Sequence, residues 1–408
     1  MMKKNHTNQT EVLSGIGIFF AVWTVTFLYA NLMQPIGFSQ HYWFSTCAFL
    51  ISSGCLISSF ILKKPYVVAP GLGVGWFAAN QILPQSHLLN FYICIILSGL
   101  ILIMISQLKF IKKAERLLPN YLQATMSIGV GCLFMRFALE QQGHDMQHII
   151  PHILFLSTIV LLFVFKKTQN RWGSLLTVII IISLGFLLHA THWHGFFHRP
   201  AEIKNVWSLS NLSINLPILV RQVLEMSLFS FFDVATGVFC LQQIIHALQV
   251  SSPKQALSKA YLATGLNNLL SGTFLCGPNT IFIESAFGMQ LGGQKPLTLY
   301  VASLCFIIFA FCFPLGQLVP QELFRGIFFF IGFSLLSPLY QFKHQSLQEN
   351  ILSIILITII LLTKSILNGL LVGIVIQYGL DIYRKKNLDK IHHILTGLAC
   401  CSLLLKFI

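Results

Sequence analysis

Two acidic residues lie inside long apolar stretches of the sequence, where a charged side chain is costly. Asp233 stands within LEMSLFSFFDVATGVFCL, and Glu284 stands within GPNTIFIESAFG between two apolar runs. A carboxylate at the centre of a membrane-spanning helix costs at least about 2.5 kcal/mol, and such acids usually mark the path of a ligand or a proton. Paired carboxylates suit a planar heterocycle, because its ring N–H groups donate hydrogen bonds that carboxylate oxygens accept. An aromatic face would complete such a site by stacking, with Trp76 and Phe77 as candidates.

The composition identifies the class of protein to which these acids belong. The chain of 408 residues is 55% hydrophobic and only 9% charged, with a mean hydropathy of +0.75, whereas a soluble domain carries roughly 25% charged residues. A membrane-spanning helix needs about 20 mostly apolar residues, and the chain supplies such runs almost from end to end. The sequence therefore predicts an all-α polytopic membrane protein. The cysteines follow no metal-ligand or disulfide spacing.

The net charge of +14 is explained by topology rather than by a nucleic-acid partner. With the N-terminus inside, 19 basic residues fall in inner breaks, and only Arg199 and Lys204 fall outside. This asymmetry follows the positive-inside rule. We therefore expect an integral protein of the inner or plasma membrane with a cytoplasmic N-terminus. The chain shows no ATP-binding domain, so we expect no cofactor and a proton or other cation gradient as the driving force.

The polar breaks divide the chain into two sets of seven predicted segments. Residues 10–22 are weakly similar to residues 221–233 at an offset of 211, and residues 118–131 to residues 319–332 at an offset of 201. Because seven is odd, the second set enters the membrane from the opposite side. We leave 391–408 unassigned. The segments are 12–33, 41–62, 66–82, 88–108, 119–139, 149–166 and 172–190, followed by 217–248, 254–275, 278–291, 296–315, 322–340, 350–366 and 368–384.

The third segment of each set is short and interrupted by Gly and Pro. These broken segments read KPYVVAPGLGVGWFAAN at 64–80 and GPNTIFIESAFGMQLGG at 277–293. Each predicts an extended stretch after Pro65 or Pro278, followed by a half-helix, which membrane proteins tolerate only where the backbone is buried in protein or lines a cavity. Inverted repeats with broken helices at corresponding positions indicate a secondary transporter with its site at the bilayer midplane. Glu284 is expected at the start of the second half-helix.

These residues resemble the nucleobase/ascorbate transporter superfamily, in particular its AzgA-like adenine/guanine/hypoxanthine permease branch. The similar stretches are APGLGVGWFA at 69–78, FSFFDVATG at 229–237 and LCGPNTIFIESAFGMQLGGQKPLTL at 275–299. The pattern I-E-S-A-x-G followed by G-G is the most specific. Relative to the family patterns, Gly75, Trp76, Ser230 and Thr280-Ile281-Phe282 are departures, and they predict a more apolar site of different shape.

The resemblance implies a 7+7 inverted repeat, proton symport of a purine such as guanine, hypoxanthine or adenine, and movement of a core domain against a gate domain. It also implies Asp233 and Glu284 as substrate-facing and proton-coupling carboxylates, with Phe77 beside the base. Trp76, Gly71, Thr280 and Ser285 complete the predicted substrate-binding set. Lipid and a small-molecule substrate are the expected partners, together with a possible homodimer. The implied bounds are 1–10 for the N-terminus, 11–108 and 217–315 for the core, 191–216 for the outer loop, and 119–190 and 320–408 for the gate.

Two alternatives to nucleobase transport remain open. An anion transporter of the same fold would need a cation at the midplane, and the best candidate is Arg136, which can instead pair with Glu140 one turn later. Arg221 and Glu225 repeat this spacing. A membrane haem or metal redox protein would use the outer histidines, although their spacing matches no motif with a known mechanism; these histidines are His189, His192, His194 and His198.

Overall fold

A computed structural model gives the fold of the chain. It describes residues 8–32, 40–85, 88–108, 120–140, 149–168, 173–188, 216–247, 257–311, 320–336, 338–340, 345–364 and 366–383, and residues 393, 396–397 and 399–400 of the tail. The outer histidines lie outside these residues, as do parts of most predicted loops.

Helices form where the apolar runs were predicted, and their bounds agree with the predicted segments to within a few residues. This agreement is expected, because a helix satisfies its own backbone hydrogen bonds in a bilayer. In the first half the helices are α1 (Asn8–Leu32), α2 (Gln40–Ile61), α3 (Leu72–Phe77), α4 (Leu88–Ser106), α5 (Asn120–Glu140), α6 (Ile149–Lys167) and α7 (Gly173–Leu187). In the second half they are α8 (Leu216–Ala247), α9 (Leu257–Thr273), α10 (Ser285–Leu291), α11 (Pro296–Ala310), α12 (Gln321–Leu335), α13 (Leu347–Thr363) and α14 (Ile366–Tyr383).

Length and hydropathy alone qualify only some of the described helices as membrane spans. The three ranges that are long and apolar enough are Tyr42–Ile61, Leu88–Ser106 and Leu216–Gln242. Several other described helices are apolar but shorter, including Ile149–Phe165 and Leu347–Thr363.

Both broken segments have the predicted order of a strand followed by a short helix. Strand β1 (Val68–Pro70) precedes α3, which continues into a π-helical turn at Ala78–Ile82, and strand β2 (Asn279–Ile281) precedes α10. Just beyond β1, the Gly71 amide donates a hydrogen bond of 3.0 Å to the Pro278 carbonyl.

The chain divides into two compact units. The first comprises Met1–Ala69, Phe134–Lys204 and Glu284–Ser334, and the second comprises Pro70–Leu133, Asn205–Ile283 and Leu335–Ile408. Each unit combines segments of the implied core with segments of the implied gate, and the division into core and gate stays a prediction.

In the first unit, α11 packs against α1 and α2, and α10 packs against α1. Ser52 and Ser303 share a hydrogen bond of 2.7 Å between α2 and α11. Phe19 and Trp23 of α1 meet Phe309 of α11 with ring centroids 4.7 Å apart in each case. Close aromatic and hydroxyl contacts therefore hold α1, α2 and α11 of this unit together.

In the second unit, α4 packs against α8 and α9, and α8 also contacts α3, β2 and α14. Gly99 of α4 and Gly265 of α9 lie so close that a Cβ on Gly265 would be 2.7 Å from the Gly99 carbonyl oxygen. Small residues allow this approach of two helix backbones, which is a common device of membrane proteins.

Candidate functional site

Asp233 lies in the second unit near the middle of α8, with part of its surface accessible. Its Oδ2 atom is buried and has no hydrogen-bond partner within the described part of the chain. The Thr280 hydroxyl on β2 is near enough to interact with the carboxylate, although its Oγ1 is also buried without a hydrogen-bond partner. Asp233 and Thr280 therefore lie close together, and both oxygens are able to bind a polar ligand.

Two glycines allow Thr280 to approach Asp233. Gly237 follows Asp233 by about one turn of α8, and a Cβ on Gly237 would lie 2.6 Å from the Ile281 carbonyl oxygen. A Cβ on Gly71 would lie 2.6 Å from Thr280 Cγ2. Gly71 was predicted as a site residue, and its observed contribution is to leave room for the Thr280 side chain.

Two amide side chains, a backbone carbonyl and a serine hold the strand that carries Thr280. The Asn279 backbone amide donates to Asn268 Oδ1 at 2.6 Å, and Asn279 Nδ2 donates to the Asn267 carbonyl at 3.2 Å. The Ser271 hydroxyl donates to the Gly277 carbonyl. Because an extended backbone inside a membrane protein must be hydrogen-bonded internally, these bonds stabilise the break. Sequence reasoning missed these residues, although polar residues clustered in NNLLSG beside the Gly-Pro break were a usable signal.

Phe77 stacks on another side chain of the second unit. Its ring lies 4.6 Å from that of Phe229, with an angle of 20° between the planes. Phe229 precedes Asp233 by one turn of α8, and that spacing would have revealed it as a site residue. Trp76 lies in α3, and its side chain is outside the described residues.

Glu284 and Ser285 lie in the first unit, at the beginning of α10. Glu284 is 5% exposed and occupies the position just before the helix, as predicted. The Ser285 hydroxyl accepts a hydrogen bond of 2.9 Å from the Val67 amide. Ser285 therefore holds the extended stretch near the beginning of the first broken segment. The sequence had predicted only a contact of Ser285 with substrate.

The cations considered for anion binding have other partners. Arg136 pairs with Glu140 at 2.6 Å and Arg221 pairs with Glu225 at 2.8 Å, as their spacing predicted. Sequence reasoning overlooked Arg325 of α12, which is 5% exposed and donates from Nε to the Ala138 carbonyl at 2.9 Å. Its guanidinium also lies 4.8 Å from the centre of the Phe155 ring.

No group of three metal-ligating side chains occurs within the described ranges. The cysteines described there are free, so no disulfide joins them. His189, His192, His194 and His198 lie outside the described residues, and their predicted role stays a hypothesis.

Comparison with known proteins gives a family match over most of the chain. A model described as the permease family matches residues 11–369. The nucleobase transporter PlAzg2 of Paenibacillus larvae is 22% identical over 308 residues, covering 70% of this chain and 59% of that protein. The match therefore spans less than two thirds of PlAzg2. The adenine permease AdeP of Escherichia coli is 21% identical, covering 74% of this chain and 71% of AdeP. The guanine/hypoxanthine permease PbuO of Bacillus subtilis is 21% identical, covering 75% of each chain.

Solved membrane-protein structures share the fold at low sequence identity. The transmembrane domain of the cyanobacterial bicarbonate transporter BicA matches with a TM-score of 0.59 at 12% identity, covering 91% of this chain and 98% of that one. The murine anion transporter Slc26a9 matches with a TM-score of 0.57 at 14% identity, covering 94% of this chain and 69% of that one. These matches support a polytopic transporter fold.

Proposed function

Because the chain belongs to the nucleobase/ascorbate transporter family of permeases, we propose that it is a secondary transporter for a nucleobase in the inner or plasma membrane. The family consists of transporters, so the chain is not an enzyme. A purine is the preferred substrate, because AdeP and PbuO are named as adenine and guanine/hypoxanthine permeases.

The observation that carries this proposal is the pair of buried oxygens, Asp233 Oδ2 and Thr280 Oγ1, which have no hydrogen-bond partner among the residues that the structure describes. A purine edge presents an N–H donor beside a carbonyl or ring-nitrogen acceptor. The carboxylate can accept from the donor, and the hydroxyl can donate to the acceptor. Leaving both oxygens unpaired is costly, so a ligand that pairs with both gains affinity and specificity.

Aromatic and acidic residues complete the proposed binding set. Phe229 precedes Asp233 by one turn of α8 and stacks on Phe77, and such an aromatic surface favours a planar base. Glu284 is the proposed second substrate carboxylate because it lies in the family motif I-E-S-A-x-G, and Trp76 is a further aromatic candidate. Asp233 and Glu284 are the proposed groups for proton coupling, because intramembrane acids commonly form proton relays.

We propose fourteen segments arranged as a 7+7 inverted repeat, and the helix pairings support this arrangement. In such a repeat, α1, α2 and α4 correspond to α8, α9 and α11. The packing of α11 against α1 and α2 then corresponds to the packing of α4 against α8 and α9, and both pairings occur. The offset of 201 relates Thr125 to Gly326. Thr125 donates to Ser353 on α13 at 2.6 Å, and a Cβ on Gly326 would lie 2.5 Å from Thr158 on α6. Alternating access would then move the core against the gate.

Uptake of radiolabelled adenine, guanine, hypoxanthine, xanthine and uracil tests the proposal. Cells lacking their own nucleobase permeases should accumulate one purine, more strongly at low external pH. Asp233→Asn and Glu284→Gln should abolish uptake while reaching the membrane in normal amount. If no base accumulates in cells that display the wild-type protein, the proposed substrate class is wrong.

Anion transport is the second candidate, favoured by the shared fold with BicA and Slc26a9. The ion pairs of Arg136 and Arg221 count against it, because each arginine already has a carboxylate partner. Uptake of labelled bicarbonate and sulfate in the same cells distinguishes this candidate from nucleobase transport.

A further inference from the structure

Glu11 is a buried acid that the proposed binding set does not use. It lies in the first turn of α1 in the first unit and is 0% exposed. An unpaired charge in such a position is strongly destabilising. Its partners must therefore account for its presence.

Within the described residues, the hydrogen bonds of the Glu11 carboxylate come from the turn between α10 and α11 and from the first turn of α11. The backbone amides of Gln294 and Lys295 donate to Oε2, each at 3.1 Å, and the Thr298 hydroxyl donates to the same oxygen. The Gln294 amide also lies 3.3 Å from Oε1. Lys295 is the residue just before α11, so Glu11 occupies the N-terminal end of that helix, where a negative charge is favoured.

The same turn brings α10 into close contact with α1. Gly292 ends α10 with φ of 109°, a conformation that suits glycine. A Cβ on Gly293 would be 2.7 Å from Ser14 Cβ, and one on Gly288 would be 2.9 Å from the Ser14 carbonyl oxygen. The short helix is therefore held along its length by α1 and at its C-terminal end by Glu11.

We infer that Glu11 is a positioning residue that fixes α10 against α1, and so determines where Glu284 and Ser285 lie. The expected effect of Glu11 on substrate affinity rests on the proposed function, whereas its effect on the position of α10 does not. Glu11 acts through residues 292–298, where the hydrogen-bond donors to its carboxylate lie.

The other repeat shows a related contact. At the offset of 211, Gln222 of α8 corresponds to Glu11, and its Nε2 donates to the Ile82 carbonyl at 3.3 Å. Ile82 ends the π-helical turn of the first broken segment. Equivalent positions therefore fasten the ends of both broken segments, with a neutral amide in one repeat and a carboxylate in the other.

Hydrogen exchange of the purified full-length protein tests the inference without any transport assay. Glu11→Gln retains one acceptor oxygen and Glu11→Ala removes both, so exchange should accelerate in the order wild type, Gln, Ala. Loss of charge-assisted bonds predicts roughly tenfold faster exchange or more in Glu11→Ala, at the amides of 292–295 and in α10 at 285–291. Glu349→Gln is the matched control, because Glu349 also binds the N-terminus of a helix, α13.

If exchange accelerates only at the amides of 292–295, Glu11 is a local cap and the positioning role is overturned. The role is also overturned if the Glu11 variants exchange no faster than Glu349→Gln. In uptake assays, Glu11→Gln should raise KM about tenfold with little change in maximal rate per protein at the surface. A lower amount of protein with unchanged KM would mean a purely structural role. If the wild type takes up no base, the proposed substrate fails, and the exchange result still decides whether Glu11 positions α10.

Discussion

In the proposed binding site, Asp233 supplies one carboxylate and Thr280 supplies one hydroxyl. Both groups have a buried oxygen without a hydrogen-bond partner among the described residues. In such a medium each hydrogen bond to a ligand is worth more than in water, and each unpaired group costs more. Discrimination between bases at this point should therefore depend on donor and acceptor positions rather than on size.

Removing the Thr280 hydroxyl should weaken substrate binding and leave the fold intact. Thr280→Val keeps the shape and removes one hydrogen bond, which predicts a rise of roughly 10- to 100-fold in the KM for the transported base. Thr177→Val is the matched control, because Thr177 is buried and its hydroxyl bonds to the Gly173 carbonyl of its own helix. Equal KM values for both variants would remove Thr280 from the site.

The secondary-structure elements could be predicted from the sequence more completely than the contacts of the candidate site. Apolar run length located the helices, and the Gly/Pro breaks predicted strand followed by short helix at both broken segments. Asp233 and Glu284 could be recognised as candidate site residues because acids in apolar runs are costly. The stacking of Phe77 on Phe229 and the amide contacts of Asn279 were not predicted, since they depend on which helices become neighbours.

Adding one methyl group to α8 should displace β2. A Cβ on Gly237 would lie 2.6 Å from the Ile281 carbonyl oxygen, a backbone atom that cannot rotate away. Gly237→Ala should therefore lower the melting temperature and abolish uptake, with a destabilisation of about 1–3 kcal/mol.

Gly379→Ala in α14 provides the control, because no heavy atom of the described residues beyond the adjacent backbone of its own helix lies within 4 Å of the added Cβ. This change should raise the stability by about 0.5–1 kcal/mol, since alanine favours helix more than glycine does. Thermal unfolding in detergent measures both variants. A Gly237→Ala protein as stable and active as Gly379→Ala would contradict the close contact between α8 and β2.

At the scale of the whole molecule, the distribution of basic residues predicts one orientation. Seven segments before the outer loop place residue 204 outside, and fourteen in total place the C-terminal end inside. Alkaline phosphatase fused after Lys204 should be active, whereas green fluorescent protein fused after Lys390 should be fluorescent. The reverse pattern at either position would contradict the segment count or the orientation.

Binding to the purified protein tests the central claim most directly, namely that this permease recognises a purine through Asp233. Titration calorimetry should detect one purine binding to the wild type and to Thr177→Val, and the heat should vanish in Asp233→Asn. If the purines produce no heat and bicarbonate or sulfate binds equally well to the wild type and Asp233→Asn, the claim is contradicted.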